Sequence, residues 1–173
     1  AKTSFKGGVS IKGGPDLNLE IHYLPGRLKI PKLIVKDQLS HADMALVFEP
    51  KELDLHFSGT LDHETLDRIF SEKEFSKGRL QGDFAISVAG TKMKRVLAKG
   101  HLKGEDLSIP LPSGERLAVG QIALDGDGSK VRADVTTLSW GELTWSPVKA
   151  TIDLEPENVT VRVAEAKLCG IES

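Results

Sequence analysis

The sequence is short of the residues that most directly announce chemistry. It has one cysteine, Cys169, among 173 residues, which excludes an internal disulfide framework and a thiolate zinc cluster. Aromatic residues make up 5% of the chain. No apolar run approaches the ~18 residues of a membrane-spanning helix. An excess of either charge is also missing: 23 Lys and Arg stand against 25 Asp and Glu, a net charge of −2. That balance disfavours a disordered chain, which combines low hydrophobicity with high net charge. It also disfavours a dedicated nucleic-acid binder, which carries a basic excess. The dinucleotide and nucleotide glycine loops and the Gly-x-Ser-x-Gly elbow are absent.

What is abundant is glycine, 17 residues, about a tenth of the chain against a norm of ~7%. With much Val, Leu and Ile, this fits many strands joined by tight turns. The length suggests one domain. The opening Ala1-Lys2-Thr3-Ser4-Phe5 lacks the apolar core of a signal peptide, and Leu168-Cys169-Gly170-Ile171 carries no terminating signal. The expectation is therefore a soluble piece of a longer chain, 1–173 forming a single β-rich domain.

The dominant pattern has period two, as expected of strands with one buried face. Apolar residues fall at Leu17, Leu19, Ile21 and Tyr23, then at Leu28, Ile30, Leu33 and Val35 around Pro31. They recur at Ala42, Met44, Leu46 and Phe48, and, after Pro50-Lys51, at Leu53, Leu55 and Phe57. Leu80, Phe84, Ile86 and Val88 continue the pattern. Val96, Ala98 and Leu102 alternate less cleanly, and further strands are expected over 117–124, 130–138, 142–154 and 158–168. Gly13-Gly14-Pro15-Asp16, Pro25-Gly26 and Asp125-Gly126-Asp127-Gly128 punctuate them as turns. Parity changes inside several strands: Leu117 and Val119 give way to Ile122 and Leu124. Trp145 gives way to Val148 and Ile152 after Pro147, and Val163 gives way to Ala164 and Ala166. Such flips predict β-bulges and a curled sheet. One segment differs. Asp62–Phe75 places Leu66, Ile69 and Phe70 at helical spacing behind Asp62 as N-cap, which predicts a short amphipathic helix. It separates two possible sub-repeats, 1–61 and 76–173.

Few constellations suggest chemistry. His41, Asp43, Glu49, Asp54, His56 and His63 crowd together in sequence, but His41 with Asp43 and Asp54 with His56 share only the polar faces of alternating strands, and no metal-ligand spacing is matched. Asp125-Gly126-Asp127 resembles the start of a calcium loop, yet Lys130 and Thr136 occupy the positions that need Gly and Glu. Lys92, Lys94, Arg95, Lys99, His101 and Lys103 form a basic stretch, expected as a solvated strand face. Cys169, between Leu168 and Ile171, is expected to be a small, partly buried hydrophobe. No enzyme activity, cofactor or metal is expected.

The order of motifs is similar to that of the AsmA-like proteins of Gram-negative bacteria, the group that also holds TamB and YhdP. The likeness runs through Leu55–Val88, with Ser58-Gly59-Thr60-Leu61 and Gly78-Arg79-Leu80-Gln81-Gly82-Asp83-Phe84. It continues through Leu102-Lys103-Gly104-Glu105-Asp106-Leu107 and Ile109-Pro110-Leu111-Pro112-Ser113-Gly114. It closes with Leu138-Ser139-Trp140-Gly141 and Ala166-Lys167-Leu168-Cys169-Gly170-Ile171. The resemblance implies a periplasmic protein held in the inner membrane by an N-terminal anchor that is not in this sequence. It implies a curled β-sheet whose apolar groove carries phospholipids toward the outer membrane.

The alternation itself supplies the groove lining: Leu17, Leu19 and Ile21; Leu46 and Phe48; Leu55 and Phe57; Phe84, Ile86 and Val88; Val131 and Val135; Ile152; and Val161. Leu46, Phe48, Leu55 and Phe57 should share the inner face, with Val47, Glu49, Asp54 and His56 opposite. A charge at Phe84 or Val135 should block lipid without unfolding the sheet. Expected partners are phospholipid acyl chains and the inner membrane, not nucleic acid, with self-association through edge strands possible in such a sheet. The alternative is a non-catalytic structural or scaffolding β-domain of the envelope, its sheet packed on itself.

Overall fold

A computed structural model describes residues 3–69, 77–90, 95–110, 115–155 and 158–169. Among them the chain forms twelve strands and one helix. The strands are β1 (Thr3–Ser10), β2 (Asp16–Leu24), β3 (Arg27–Lys36), β4 (His41–Glu49), β5 (Glu52–Asp62), β6 (Arg79–Ala89), β7 (Arg95–Pro110), β8 (Arg116–Gly128), β9 (Lys130–Val135), β10 (Leu138–Trp140), β11 (Leu143–Glu155) and β12 (Asn158–Cys169); helix α1 (His63–Ile69) lies between β5 and β6. The mainly-β, curled antiparallel sheet with one short helix is what the alternation predicts.

The topology is a meander in which each strand pairs with the next. Strands β9 and β10 share one lane. Against β8 the register runs from Ile122↔Val135 to Val119↔Leu138, and against β11 from Val148↔Val135 to Trp145↔Leu138, without a residue gained or lost. The lane is interrupted opposite Pro147, which has no N–H to donate. Strands β5 and β6 pair from Asp62↔Arg79 to Glu52↔Ala89. The stretches on either side of the helix therefore belong to one sheet. The described part of the helix starts where expected: the Glu64 amide donates to Asp62 Oδ1 at 3.0 Å, an N-cap bond. The expected extent to Phe75 lies partly outside the described residues.

The predicted parity flips have a common geometry. Because Glu105 pairs Gln121 and Leu107 pairs Val119, Asp106 falls opposite Gly120. Asp106 has φ 49°, a left-handed conformation that a short polar side chain tolerates. Gly120 donates to the Thr137 carbonyl at 2.9 Å, and the β10–β11 register brings Thr137 opposite Ser146. Asp106, Gly120, Thr137 and Ser146 thus form a row across four lanes, along which every strand turns over its apolar parity. On β12 the flip is a bulge: Lys149 pairs Glu165 and Ala150 pairs Val163, leaving Ala164 without an opposite residue. In β8 the expected bulge is instead a flip at Gly120 in unbroken register with β7. Further shifts occur between Ile30 and Leu33, at Pro31, and between Glu20 and His22.

Glycines form a second bend. Gly59 and Gly82 pair directly across β5 and β6. A Cβ on Gly59 would lie 2.1 Å from the His41 carbonyl oxygen, and one on Gly82 would lie 2.2 Å from that of His101. Both have positive φ, 113° and 152°. Glycine kinks of this kind curve a sheet. The curl brings β7 close to β11, with two lanes between them. Val96, Ala98, Val131 and Leu154 bury together there, against Phe84, Ile86 and Leu124. A second core gathers Val35, Ala42, Phe57 and Leu61 with Leu17, Met44 and Leu80, and closes under Leu66 and Ile69 of α1.

Candidate functional site

The register places the expected lining residues on one face. A single row crosses the sheet from Leu19 through Leu33, Met44, Phe57 and Phe84 to Gly100, Gly126, Val131, Ile152 and Val161. Parallel to it runs Ile30, Leu46, Leu55, Ile86 and Ala98, and beyond that Leu28, Phe48, Leu53, Val88 and Val96. On the other side lies Leu17, Val35, Ala42, Gly59 and Gly82. Ile21, opposite Phe5 on the edge strand β1, is half-buried.

Burial along this face is uneven. Phe57, Val131 and Val135 are buried, whereas Phe48, Leu55 and Val161 are 51%, 45% and 57% exposed. Leu17, Leu19, Ile21, Leu46, Phe84, Ile86, Val88 and Ile152 are half-buried. The face is therefore closed on itself at two places, under α1 and between β7 and β11. It is open along β4–β5 and β12. Because Val135 is only 8% exposed, a charge there falls on folding; it is not a clean probe of an open groove. Cys169 is exposed rather than partly buried, because β12 is the last lane and nothing described packs over it.

At the closed end lies an apolar cavity of about 260 Å³. Leu61, Leu66, Leu80 and Leu107 line it, with half-buried His63 and exposed Lys77 and Arg79. Leu107 reaches this face only because Asp106 turns the strand over. Its Cδ1 lies 2.7 Å from where a Cβ on Gly104 would sit.

Helix α1 is held there by a polar network that the sequence pattern did not disclose. Asp37 closes the β3–β4 turn by accepting the amides of Leu39 and Ser40 at 2.8 and 2.7 Å. The buried Thr65 hydroxyl donates to Asp37 Oδ2 at 2.8 Å and accepts from Ser40 Oγ at 2.6 Å. Ser40 Oγ in turn accepts the Asp62 amide at 2.9 Å, and Arg68 lies 3.8 Å from Asp37. Burial pushes the Asp37 carboxyl up, but the bonds from Thr65, Leu39 and Ser40 and the Arg68 charge outweigh it and hold it below the ordinary value. The Asp37-x-x-Ser40 spacing is a turn signature; its link to Thr65 could be seen only in three dimensions.

The opposite face is polar and internally compensated. Lys99 and His101 lie across from Asp127 and Asp125 on β8, and Asp83 lies across from His101 on β6. The described part of the basic stretch is thus interleaved with acids; Lys92 and Lys94 lie outside the described residues. His56 contacts Asp83 at 3.5 Å, and Ser58 donates to the same carboxylate at 3.2 Å. Asp153 is buried between Lys130 at 3.9 Å and Arg162 at 3.4 Å. Glu52 and Asp54 are near enough for a hydrogen bond between them to raise the Glu52 carboxyl. Glu52 is exposed. A cavity of about 350 Å³ on this side mixes Lys103, Lys149, Asp134 and Glu105. Comparison of the chain with protein-family models, curated proteins and solved structures finds no match.

Proposed function

We propose that this chain is a segment of an AsmA-like periplasmic protein whose apolar face shields phospholipid acyl chains between the inner and outer membranes. The observation that carries the reading is the continuity of that face: apolar or glycine positions follow one another through the register from β2 to β12. Large side chains on it, Phe48, Leu53 and Leu55, remain 51%, 37% and 45% exposed. An apolar strip left open in this way marks a surface that meets a partner or ligand. Acyl chains suit it because they need length and low polarity, not directional bonds. The mechanism is passive: the sheet removes methylene groups from water at about 0.8 kcal/mol each and forms no covalent intermediate.

Native mass spectrometry of the purified chain tests for co-purified phospholipid. Phe48→Asp and Leu55→Asp place charges where water can reach them. They should fold with normal strand content by circular dichroism and take up less of a photo-crosslinkable phospholipid. Folded variants that bind lipid as the parent does would overturn the proposal. The alternative, a scaffolding β-domain, draws support from the burial of Val96, Val131 and Leu154 where the sheet curls on itself. It predicts no lipid in the parent and no change in these variants.

A further inference from the structure

Strand β12 is self-complementary, and we infer that two copies of this chain join edge to edge through it in one defined register. Among the described residues β12 pairs with β11 alone, so its outer edge is a row of backbone groups ready for another strand. Among the described residues its apolar side chains are the most exposed large ones: Val161 and Val163 at 57% and Leu168 at 54%.

The partner is argued from direction, face and charge. The meander alternates through eleven lanes, since β9 and β10 share one. Strands β1 and β12 therefore run the same way. Joining β12 to β1 of another copy would be parallel, a slightly weaker pairing. Joining β12 to β12 about a two-fold axis is antiparallel and continues the pattern of the whole sheet.

The bulge at Ala164 then selects the register. Before it, Val161 and Val163 lie on the apolar face and Arg162 on the polar face; after it, Ala166 and Leu168 are apolar-side, Glu165 polar-side. Reversal of the strand must match odd apolar positions with even ones, and the two-fold axis between Val163 and Ala164 does so throughout. Val161 meets Ala166 of the second copy, and Val163 meets its Ala164. Arg162 meets Glu165 of the second copy, twice by symmetry, and Thr160 meets Lys167. Moving the register by two residues in one direction sets Arg162 against Lys167, a like-charge pair. Moving it two in the other sets Arg162 opposite Val163, polar side against apolar side. Odd shifts mismatch the faces along each half of the strand. Opposed charges across strands favour pairing and like charges oppose it. In the joined pair the two apolar faces are continuous and lie on the same side.

The test uses the lipid-free chain, so its outcome is independent of the lipid proposal. Under reducing conditions, sedimentation equilibrium should give twice the 18.8 kDa chain mass. Val163→Lys, at a position already exposed in the single copy, brings two lysines to the two-fold axis. It should raise the dimer dissociation constant by about tenfold or more while circular dichroism stays parental. For the register, Val161→Cys and Ala166→Cys are combined in one chain carrying Cys169→Ser. Oxidation should link that double variant into disulfide dimers, and neither single-cysteine variant should link. A monomer at all concentrations would overturn the inference. So would a dimer insensitive to Val163→Lys, or one whose double-cysteine form does not cross-link.

Discussion

At the residue scale, a small polar network fixes the end of the sheet where α1 begins. Asp37 accepts three hydrogen bonds, from the Leu39 and Ser40 amides and the Thr65 hydroxyl, and Ser40 Oγ links the same turn to the start of α1 by accepting the Asp62 amide. Asp37→Ala leaves the buried Thr65 without its acceptor and should cost about 1–3 kcal/mol in urea unfolding. The pH dependence has a definite sign. A carboxyl held below its ordinary value stabilises the fold when ionised, so the contribution is complete above the ordinary value of 3.8 and is lost as pH falls below it. The gap in unfolding free energy between parent and Asp37→Asn should therefore narrow as pH is lowered through that range. Gly59 makes a different demand. A Cβ there would strike the His41 carbonyl oxygen at 2.1 Å, with φ at 113°, and Gly59→Ala should destabilise by more than ~1 kcal/mol. At Gly8 the nearest atom to a Cβ is an ordinary 3.7 Å away. Gly8→Ala should leave the melting temperature almost unchanged in the same thermal scan.

At the element scale, α1 decides whether one end of the apolar face is open or shut. The seven described residues of the helix are too few to be stable alone. The helix exists because Thr65 is bonded to the β3–β4 turn and because Leu66 and Ile69 pack on the core of β3, β4 and β5. Leu66→Ala removes a half-buried side chain that also lines the 260 Å³ cavity. The expected loss is about 1–3 kcal/mol, at the lower end for a leucine truncation because burial is partial. Amide exchange of α1 should accelerate more than that of β6 and β7. Equal acceleration would show the helix to be part of the global unfolding unit. The helix start was legible in Asp62 and the spacing of Leu66 and Ile69. Its anchor was not, because Asp37, Ser40 and Thr65 are separated by up to 28 positions and each alone looks like a turn or surface residue.

At the scale of the whole molecule, the sheet has one chemical face but two physical regimes. Where it curls, between β7 and β11, Val131 and Val135 are buried at 6% and 8% exposure, while Phe48 stands at 51%. A charge costs several kcal/mol when buried without a partner and little when it reaches water. Val131→Asp should therefore yield insoluble or unfolded protein, and Phe48→Asp a folded one with a melting temperature close to the parent's. Similar losses at both positions would mean that the face is uniformly closed.

The strand positions, the start of the helix, the turns at Gly13–Pro15 and Pro25-Gly26 and the sidedness of Leu46, Phe48, Leu55 and Phe57 all follow from local rules of period, punctuation and capping, which a single chain carries in its order of residues. The turn expected at Asp125-Gly126-Asp127-Gly128 is instead the end of β8, paired with β7 through Asp125, Gly126 and Asp127; the chain reverses one step later, between the paired Asp127 and Lys130. The parity flips within β8, β11 and β12 were visible for the same reason. The flip within β7 was not, since Asp106 in a left-handed conformation leaves no mark on hydrophobic spacing apart from Leu107. Which part of the apolar face is buried was decided by tertiary structure. Alternation says only that a side chain points to a given side. Whether that side meets water depends on how far the sheet bends, and the bend is set by long-range coincidences. Gly59 must pair with Gly82 across a hairpin that contains a helix, and Asp106, Gly120, Thr137 and Ser146 must fall in one row across four lanes. Each residue tolerates its own distortion locally. Only the register that brings them together turns those distortions into curvature, and curvature determines where the core closes and where the face stays open.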